Sequence, residues 1–146
     1  MKELRTQIEI NSGAEKVWQI LIDFEKYHQW NPFIHKIFGE PKLGSKIEIH
    51  IESSKGKTRK YRPTITKLDQ GRELRWIGKS SLPGILNGEH IFTIEKLQSE
   101  RVLFMNREVF DGLLTSFFGK SLDSDVKEGL EEMNRALKER TEHTID

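Results

Sequence analysis

Three polar residues occupy strand positions where large apolar side chains are expected. His90 lies on the inward parity of the strand predicted for residues 88–97, and Asn106 and Glu108 lie on that of the strand predicted for residues 102–110. In the first segment the inward parity carries the large apolar residues of a period-two pattern. In the second both parities are apolar, and the inward one follows from the register of the two strands. The sequence therefore predicts polar side chains on an otherwise apolar inner face.

The register of these two strands depends on the loop that joins them. A three-residue loop centred on Ser99 places His90 opposite Glu108 and turns both inward. A two-residue loop instead turns Arg107 inward. The first register is preferred because it leaves Arg107 facing solvent, and it predicts an imidazole beside a carboxyl group on the inner face.

An imidazole facing a carboxyl group permits three interpretations. The pair can belong to a satisfied polar network that fixes the strand register, or it can anchor the polar end of a mostly apolar ligand. It can also exchange protons with a substrate as a general acid and base. No serine nucleophile motif accompanies the pair, the chain has no cysteine, and no catalytic residue is assigned.

The composition argues against several other classes of protein. The 24 basic and 23 acidic residues nearly balance, so nucleic-acid binding is not indicated. The five histidines lack close ligand spacing, and neither a metal nor a cofactor is predicted. The chain begins without the apolar core of a signal peptide and has no apolar run of membrane-spanning length. The expectation is a soluble cytoplasmic protein with one domain, residues 1–146.

A long helix predicted for residues 113–140 must pack against these strands. Its apolar residues recur at steps of three or four and form one stripe: Leu122, Val126, Leu130, Met133 and Leu137. Such a stripe needs a partner, because isolated helices of this length are marginal in water. Gly129 costs ~1 kcal/mol relative to alanine. It is interpreted as an incidental exposed glycine rather than a point of close passage over a bulky residue.

The first part of the chain predicts one strand and two helices. The inward side of the strand is formed by Leu4, Thr6, Ile8 and Ile10. Ser12 and Glu15 have the spacing of a capping box and predict the start of a helix that reaches Phe24. A second, short helix is predicted for residues 23–29 and ends before Pro32, because a residue preceding proline avoids helical geometry.

Four further strands are predicted between these helices and His90, at residues 34–38, 46–52, 61–68 and 73–79. Pro63 gives the third of them an irregular or edge position. A two-residue turn between the last two would set Trp76 opposite Ile65. The same turn would set Leu74 opposite Lys67.

The complete order is one strand, two helices, six antiparallel strands and a long helix, which is an α+β fold. Four segments carry a family resemblance: residues 14–24 running into Tyr27-His28-Gln29-Trp30-Asn31-Pro32-Phe33, then residues 88–92, 107–110 and 112–114. In these the chain resembles the START-like or helix-grip superfamily (SRPBCC), most closely its polyketide-cyclase/dehydrase-type branch of small bacterial proteins. The resemblance implies a seven-stranded curved sheet (β-α-α-β6-α) wrapped around the C-terminal helix, with a cavity between them.

The resemblance also implies that some inward side chains line this cavity. The predicted ligand-binding residues are Trp30, Phe33, Tyr61, Trp76, His90, Phe92, Asn106, Glu108, Phe110, Phe117, Phe118 and Leu122. Ordinary core packing is the alternative interpretation for most of the aromatic residues among them.

Three functions fit these features, because superfamily members include lipid carriers, hormone-binding proteins, cyclases and chaperone cofactors. The first is binding or transport of a small hydrophobic ligand that is lipid-like, aromatic or polyketide-like. The second is a cyclase-, dehydratase- or hydrolase-type enzyme that uses His90 and Glu108. The third is a stress or chaperone-cofactor module, which requires an exposed apolar patch and a closed cavity. A monomer or weak homodimer is expected.

Strand direction predicts where the cavity opens. The loops at residues 53–57 and 80–87 and the segment at residues 111–118 fall at one end of an antiparallel sheet. Apolar residues at that end either plug the fold or form a mobile gate. With Lys55, Lys57, Arg59 and Lys60 at its rim, such a gate suits transient contact with a membrane surface.

Overall fold

The computed structural model describes residues 1–53, 55–79, 87–112 and 120–144, with side chains in the last range described from residue 123. Within these ranges, two α-helices, one 3₁₀-helix and eight strands follow the predicted order. They are β1 (Lys2–Ile10), α1 (Ala14–Ile22), the 3₁₀-helix (Phe24–Gln29), β2 (Ile34–Phe38), β3 (Glu48–Glu52), β4 (Thr58–Tyr61), β5 (Thr64–Asp69), β6 (Glu73–Lys79), β7 (Asn87–Gln98), β8 (Arg101–Asp111) and α2 (Lys120–His143).

The strands form two antiparallel sheets that together curve around α2. The order is β1-β8-β7-β6-β5 in the larger sheet and β2-β3-β4 in the smaller. The strand predicted for residues 61–68 is divided into β4 and β5, so eight strands replace the predicted seven. Pro63 lies at the break because it has no N–H to donate to a ladder. Its carbonyl still accepts a hydrogen bond of 2.9 Å from the Ile47 N–H, which joins the two sheets at the corner.

The predicted register of β7 and β8 is confirmed, since His90 pairs with Glu108. The tip of the hairpin differs from the prediction, because Gln98 pairs with Arg101 and leaves a two-residue turn. A bulge between Lys96 and Gln98 absorbs the extra residue. Since a bulge places two residues opposite one, it restores the alternation that a two-residue turn would otherwise reverse.

The register of β5 and β6 is confirmed in part. Trp76 pairs with Ile65, as predicted. Leu74 pairs with Leu68 and not with Lys67, because a bulge falls between Ile65 and Lys67. Trp76 and Ile65 are both buried.

The predicted capping box at the start of α1 is wrong. Gly13 is the N-cap residue, and no side chain caps the helix. The helix therefore begins one residue later than the box requires, which leaves Ser12 outside the cap. The Ser12 hydroxyl instead donates to the Gly13 carbonyl at 3.3 Å, and Glu15 accepts a hydrogen bond from Gln19 at 2.8 Å.

The apolar stripe of α2 packs against the sheets as predicted. Leu130, Met133 and Leu137 are fully buried in the hydrophobic core, and the residues predicted to begin this helix at 113–119 lie outside the described ranges. The interpretation of Gly129 as an exposed glycine is wrong. Gly129 is buried, and a Cβ atom there would overlap the ring of Phe33. The helix can pass this close only because glycine has no side chain.

Candidate functional site

A cavity of about 210 Å³ lies between the inner face of the sheets and the first turns of α2. Its walls come from β1, β4, β6, β7, β8 and α2 and are mostly apolar, with charged residues at the opening. The lining residues are Lys2, Arg59, Tyr61, Arg62, Trp76, Gly78, Lys79, Gly88, His90, Glu108, Phe110, Asp123 and Val126. A smaller cavity of about 110 Å³ adjoins it and shares Arg59 and Val126 with it.

Two glycines on neighbouring strands create space on the sheet side of the larger cavity. Gly78 on β6 pairs with Gly88 on β7, so a patch of the inner face carries no side chains. A Cβ atom on Gly88 would make only ordinary contacts of 3.6 Å with the ring of Phe110. Glycine is therefore not required at position 88 for steric reasons, and its effect is to leave space in the cavity.

His90 and Glu108 form the floor of the cavity. His90 Nδ1 lies 3.1 Å from Glu108 Oε1, and the side chains are 2% and 11% exposed. The contact is close but is not aligned as a hydrogen bond, since Nδ1 has no hydrogen-bond partner within the described residues. The imidazole is held from both sides, stacked on Phe92 at 4.0 Å between ring centroids and contacted by Trp76 at 5.3 Å.

The other imidazole nitrogen begins a buried chain of hydrogen bonds. His90 Nε2 lies 2.5 Å from Asn106 Oδ1, and Asn106 Nδ2 donates to Asn134 Oδ1 at 3.0 Å. Asn134 Nδ2 donates to the Thr6 hydroxyl at 2.9 Å, and that hydroxyl donates to the Asn106 carbonyl at 2.8 Å. The chain ties β1, β7 and β8 to α2 through side chains that are at most 6% exposed.

The last bond fixes the direction of the whole chain. A backbone carbonyl can only accept, so the Thr6 hydroxyl must donate to it and accept from Asn134. Each amide is thereby oriented in turn, and His90 Nε2 must carry a proton. Nδ1 then faces the Glu108 carboxyl group at 3.1 Å. The acceptor side of the imidazole and the carboxyl group therefore meet at the end of the cavity, where a ligand group that donates or accepts a hydrogen bond can reach them.

Two further polar groups belong to the lining. The indole N–H of Trp76 is buried beside the Tyr61 phenol, although the contact is too loose to count as an aligned hydrogen bond. Burial and then the negative charge of Glu108 raise the pKa of the Tyr61 phenol above its ordinary value, which the Trp76 N–H partly offsets as a hydrogen-bond donor, so this hydroxyl stays protonated at neutral pH. The floor therefore combines a protonated phenol, an indole N–H and a carboxyl–imidazole pair.

The opening of the cavity carries mostly positive charge. The Lys2 ammonium pairs with Asp123 at 3.0 Å, and the Arg62 guanidinium pairs with Glu48 at 3.1 Å. Arg59 and Lys79 have no ion-pair partner in the part of the chain that the structure describes. A ligand entering the cavity therefore passes two unpaired cationic side chains.

A family model described as polyketide cyclase/dehydrase and lipid transport matches residues 1–142. The chain belongs to this polyketide cyclase/dehydrase and lipid transport family. No protein with a curated description matches it.

Solved structures place the polyketide cyclase/dehydrase chain in the START-like fold. A START superfamily protein from Mycobacterium smegmatis is 21% identical with a TM-score of 0.77, over 96% of this chain and 97% of that one. The Zhui aromatase/cyclase from Streptomyces sp. R1128 is 15% identical with a TM-score of 0.77, over 97% and 93%. The Aha1 dimer from Colwellia psychrerythraea is 18% identical with a TM-score of 0.72, over 98% of each chain. At these identities the likeness establishes the fold alone.

The fold brings five of the predicted ligand-binding residues together around the cavity. They are Tyr61, Trp76, His90, Glu108 and Phe110. Phe33 lines the smaller adjoining cavity. Phe117 and Phe118 lie outside the described residues, as does the side chain of Leu122.

Three of the predicted ligand-binding residues line neither of these two cavities in this family member. Trp30 follows the 3₁₀-helix, packs against Tyr27 in a tilted arrangement and lines a separate surface groove near α1 and the end of α2. Phe92 and Asn106 are fully buried behind His90 and do not line the cavity. Correct inward parity does not distinguish a residue on a cavity wall from one that packs behind it.

Several lining residues were not predicted as parts of the site. Gly88 shares its parity with His90, and Gly78 shares its parity with Trp76, so a glycine on the inward parity was the available signal for a hollow. Arg59 was predicted at the basic rim of the opening but not as a ligand-binding residue, and it shares a face with Tyr61. The ion pair of Lys2 with Asp123 joins distant parts of the chain, and no sequence pattern predicted it.

Two further features of the described residues concern metal sites and membrane-spanning helices. No group of three or more histidine, aspartate or glutamate side chains in those ranges could hold a metal ion. No helix in the described part of the chain combines the length and the apolar composition that a membrane crossing requires.

Proposed function

We propose that the protein binds a small, mostly apolar molecule in the larger cavity, with one uncharged oxygen of the ligand against His90 and Glu108. The observation that carries this proposal is an open cavity that ends on a buried polar pair. Ligand sites commonly have mostly apolar walls and a few converging polar groups that fix orientation. Here Trp76, Phe110 and Val126 supply apolar wall and Glu108 supplies the polar end.

Unsatisfied polar atoms support an occupant. His90 Nδ1 and Trp76 Nε1 are both buried without an aligned hydrogen bond in the described residues, Trp76 having only a loose contact with the Tyr61 hydroxyl, and both residues line the cavity. A buried polar atom without a partner costs about 1–3 kcal/mol. A hydroxyl or carbonyl oxygen of a ligand is one way to satisfy such atoms.

The size of the cavity limits the ligand. An engineered cavity of roughly 150 Å³ in another protein accepts benzene, and the two adjoining cavities here measure about 210 and 110 Å³. A ligand with one or two fused rings, or an aliphatic chain of similar volume, matches this space. A naphthol is therefore a suitable probe, because it combines an apolar ring system with one hydroxyl group.

Calorimetric titration with a naphthol tests the proposal. The wild-type protein is expected to bind it, and Gly88→Leu is expected to abolish binding because the new side chain fills the cavity. Gly88 tolerates a Cβ atom, so this variant should still fold. Glu95→Leu is the matched control, since it adds the same side chain to an exposed position on the opposite parity of β7. Binding that survives in Gly88→Leu would place the ligand elsewhere and overturn the proposal.

Acid–base catalysis is a second candidate, favoured by the 3.1 Å approach of His90 Nδ1 to Glu108 Oε1 beside the cavity. One member of this pair could remove a proton from the carbon next to a ligand carbonyl while the other donates a proton to the carbonyl oxygen, and the reverse transfers would complete the exchange. Exchange of the methyl protons of a naphthyl methyl ketone in heavy water, followed by NMR, tests this. Catalysed exchange that Glu108→Gln abolishes supports an enzyme, and exchange at the uncatalysed rate contradicts it.

The chaperone-cofactor interpretation has less support. It requires a closed cavity, whereas this cavity opens to the surface between α2 and the sheets. The exposed large apolar side chains in the described ranges are Met1, Phe38, Leu43 and Leu97. They come from separate parts of the chain.

A further inference from the structure

We propose that Arg59 binds a carboxylate group of the ligand at the mouth of the cavity, so that the ligand is an amphipathic ring acid and not a neutral hydrocarbon. This inference rests on the proposed function and adds the chemical class of the ligand. It assigns the two ends of the ligand to two different places. The uncharged oxygen lies at the His90–Glu108 floor, and the acid group lies at the opening.

The strand register turns Arg59 toward the cavity. Arg59 pairs with Ile51, and Tyr61 pairs with Ile49, across β3 and β4. Directly paired residues of antiparallel strands lie on the same face. Ile49 and Ile51 are buried, so Arg59 and Tyr61 lie on the inner face. Arg59 lines both the larger and the smaller cavity and therefore lies where the two cavities meet.

The ion pairs at the mouth leave Arg59 available. The two carboxylates on the first turns of α2 that border the cavities are already neutralised, Asp123 by Lys2 and Asp125 by Lys55, each at 3.0 Å. Arg59 has no carboxylate within ion-pair distance in the described part of the chain. The nearby Lys79 is likewise unpaired and adds a second positive charge to the opening.

The contrast between mouth and floor sets the polarity of the ligand. The floor is buried and its carboxyl group belongs to Glu108, so a ligand anion placed there would meet an acidic side chain instead of a counter-charge. At the mouth the unpaired charges are positive. A guanidinium group also presents paired N–H donors in a planar fork that matches the two oxygens of a carboxylate. A ligand with an acid at one end and a hydroxyl at the other fits both places.

Two probes that differ only in charge test this assignment. The first is a hydroxynaphthoate whose hydroxyl and carboxylate lie at opposite ends of the ring system. The second is the corresponding hydroxynaphthamide, which keeps the shape and replaces the carboxylate with an uncharged amide. Affinities of both are measured by calorimetry for the wild type, Arg59→Gln, Arg59→Lys and the control Arg135→Gln. The control removes one positive charge from an exposed position of α2.

Arg59→Gln is expected to weaken binding of the acid about tenfold, the lower range for a charge-assisted hydrogen bond, and to leave the amide within about twofold. Arg59→Lys should recover part of the loss, and Arg135→Gln should change neither probe. An equal loss for both probes would mean that Arg59 is only part of the wall, and no loss for either would mean that the acid lies elsewhere. Each of those results overturns the assignment while leaving the proposed cavity intact. Failure of the wild type to bind the amide contradicts the proposed function itself.

Discussion

The two ends of the space between the sheets and α2 are built from the same alternating strands but differ in what fills them. Along β7 the inward positions change from empty to polar to apolar, in the order Gly88, His90, Phe92 and Ile94. At the Gly88 end the helix contributes Val126 and a cavity remains. At the Ile94 end the sheet meets buried apolar residues of α2, and the core is solid.

This difference indicates that a row of polar side chains, here called the polar row, forms the boundary between the two ends. His90, Asn106, Glu108 and Asn134 lie between the cavity and the solid core. Directed hydrogen bonds join His90, Asn106 and Asn134, and Glu108 lies 3.1 Å from His90. A cavity that is merely a packing defect would have no reason to end on such a row. A binding site needs a fixed end, and the row supplies it by holding the Glu108 carboxyl group against a rigid imidazole.

Truncation of a large side chain should cost most at the solid end. Phe104 is fully buried, so Phe104→Ala is expected to lower the free energy of unfolding by about 3–5 kcal/mol. Phe110 shares its strand and its parity but borders the cavity, and Phe110→Ala should cost about 1 kcal/mol, as at partly exposed sites. Urea unfolding measures both. Equal losses would remove the distinction between the two ends.

Loss of one amide from the polar row should have the next largest effect. Asn134→Ala leaves Asn106 Nδ2 without its 3.0 Å acceptor and is expected to cost about 1–3 kcal/mol. A cycle with Thr6→Val measures the coupling between Thr6 and Asn134. Additive losses in that cycle would show that the two residues do not act through the hydrogen bond between them.

The close passage of α2 over Phe33 should make Gly129→Ala destabilising. Alanine favours a helix by about 1 kcal/mol over glycine, but the added Cβ atom would overlap the Phe33 ring, and overpacking costs about 1–3 kcal/mol. A net loss of stability is expected. Ser124→Ala, at an exposed position of the same helix, is the control and should not destabilise. A gain of stability in Gly129→Ala would contradict the close contact.

The smallest change is expected from Glu108→Gln. The glutamine keeps the shape of the side chain, and its amide can donate to His90 Nδ1, so the free energy of unfolding should change by less than about 1 kcal/mol. The affinity for a naphthol should still fall, because the polar end of the cavity changes chemistry. A stability loss above about 3 kcal/mol, typical of a broken buried ion pair, would contradict this expectation.

Much of the fold could be predicted because alternation and helical periodicity report which face of an element is buried. The β7–β8 register was predicted correctly although the turn has two residues and not three. The choice of which residues face inward already included the effect of the bulge between Lys96 and Gln98, whatever the length of the turn. In β5 the alternation did not reveal the bulge between Ile65 and Lys67. This bulge changed the partner of Leu74 from Lys67 to Leu68. Bulges depend on local twist and curvature, which a periodic pattern does not contain.

The site was predicted less completely than the fold. Parity identified His90 and Glu108, but it could not separate Phe92, behind the wall, from Phe110, on it. The empty space depends on residues that are small, such as Gly88, and on how closely α2 approaches at Gly129. Asn134 interrupts an otherwise apolar helix face, and its partner Thr6 is far away in the chain, so their hydrogen bond appears only when the fold brings them together.

The most direct test of the account is to locate a bound naphthol by NMR. Nuclear Overhauser contacts between the ligand and the side chains of Trp76, Phe110 and Val126 are predicted, with the hydroxyl end nearest His90. No contacts are predicted to Phe104 or Met133 in the solid core. Contacts instead to Trp30 and Ile20, in the groove beside α1, would contradict the claim that the cavity above the polar row is the binding site.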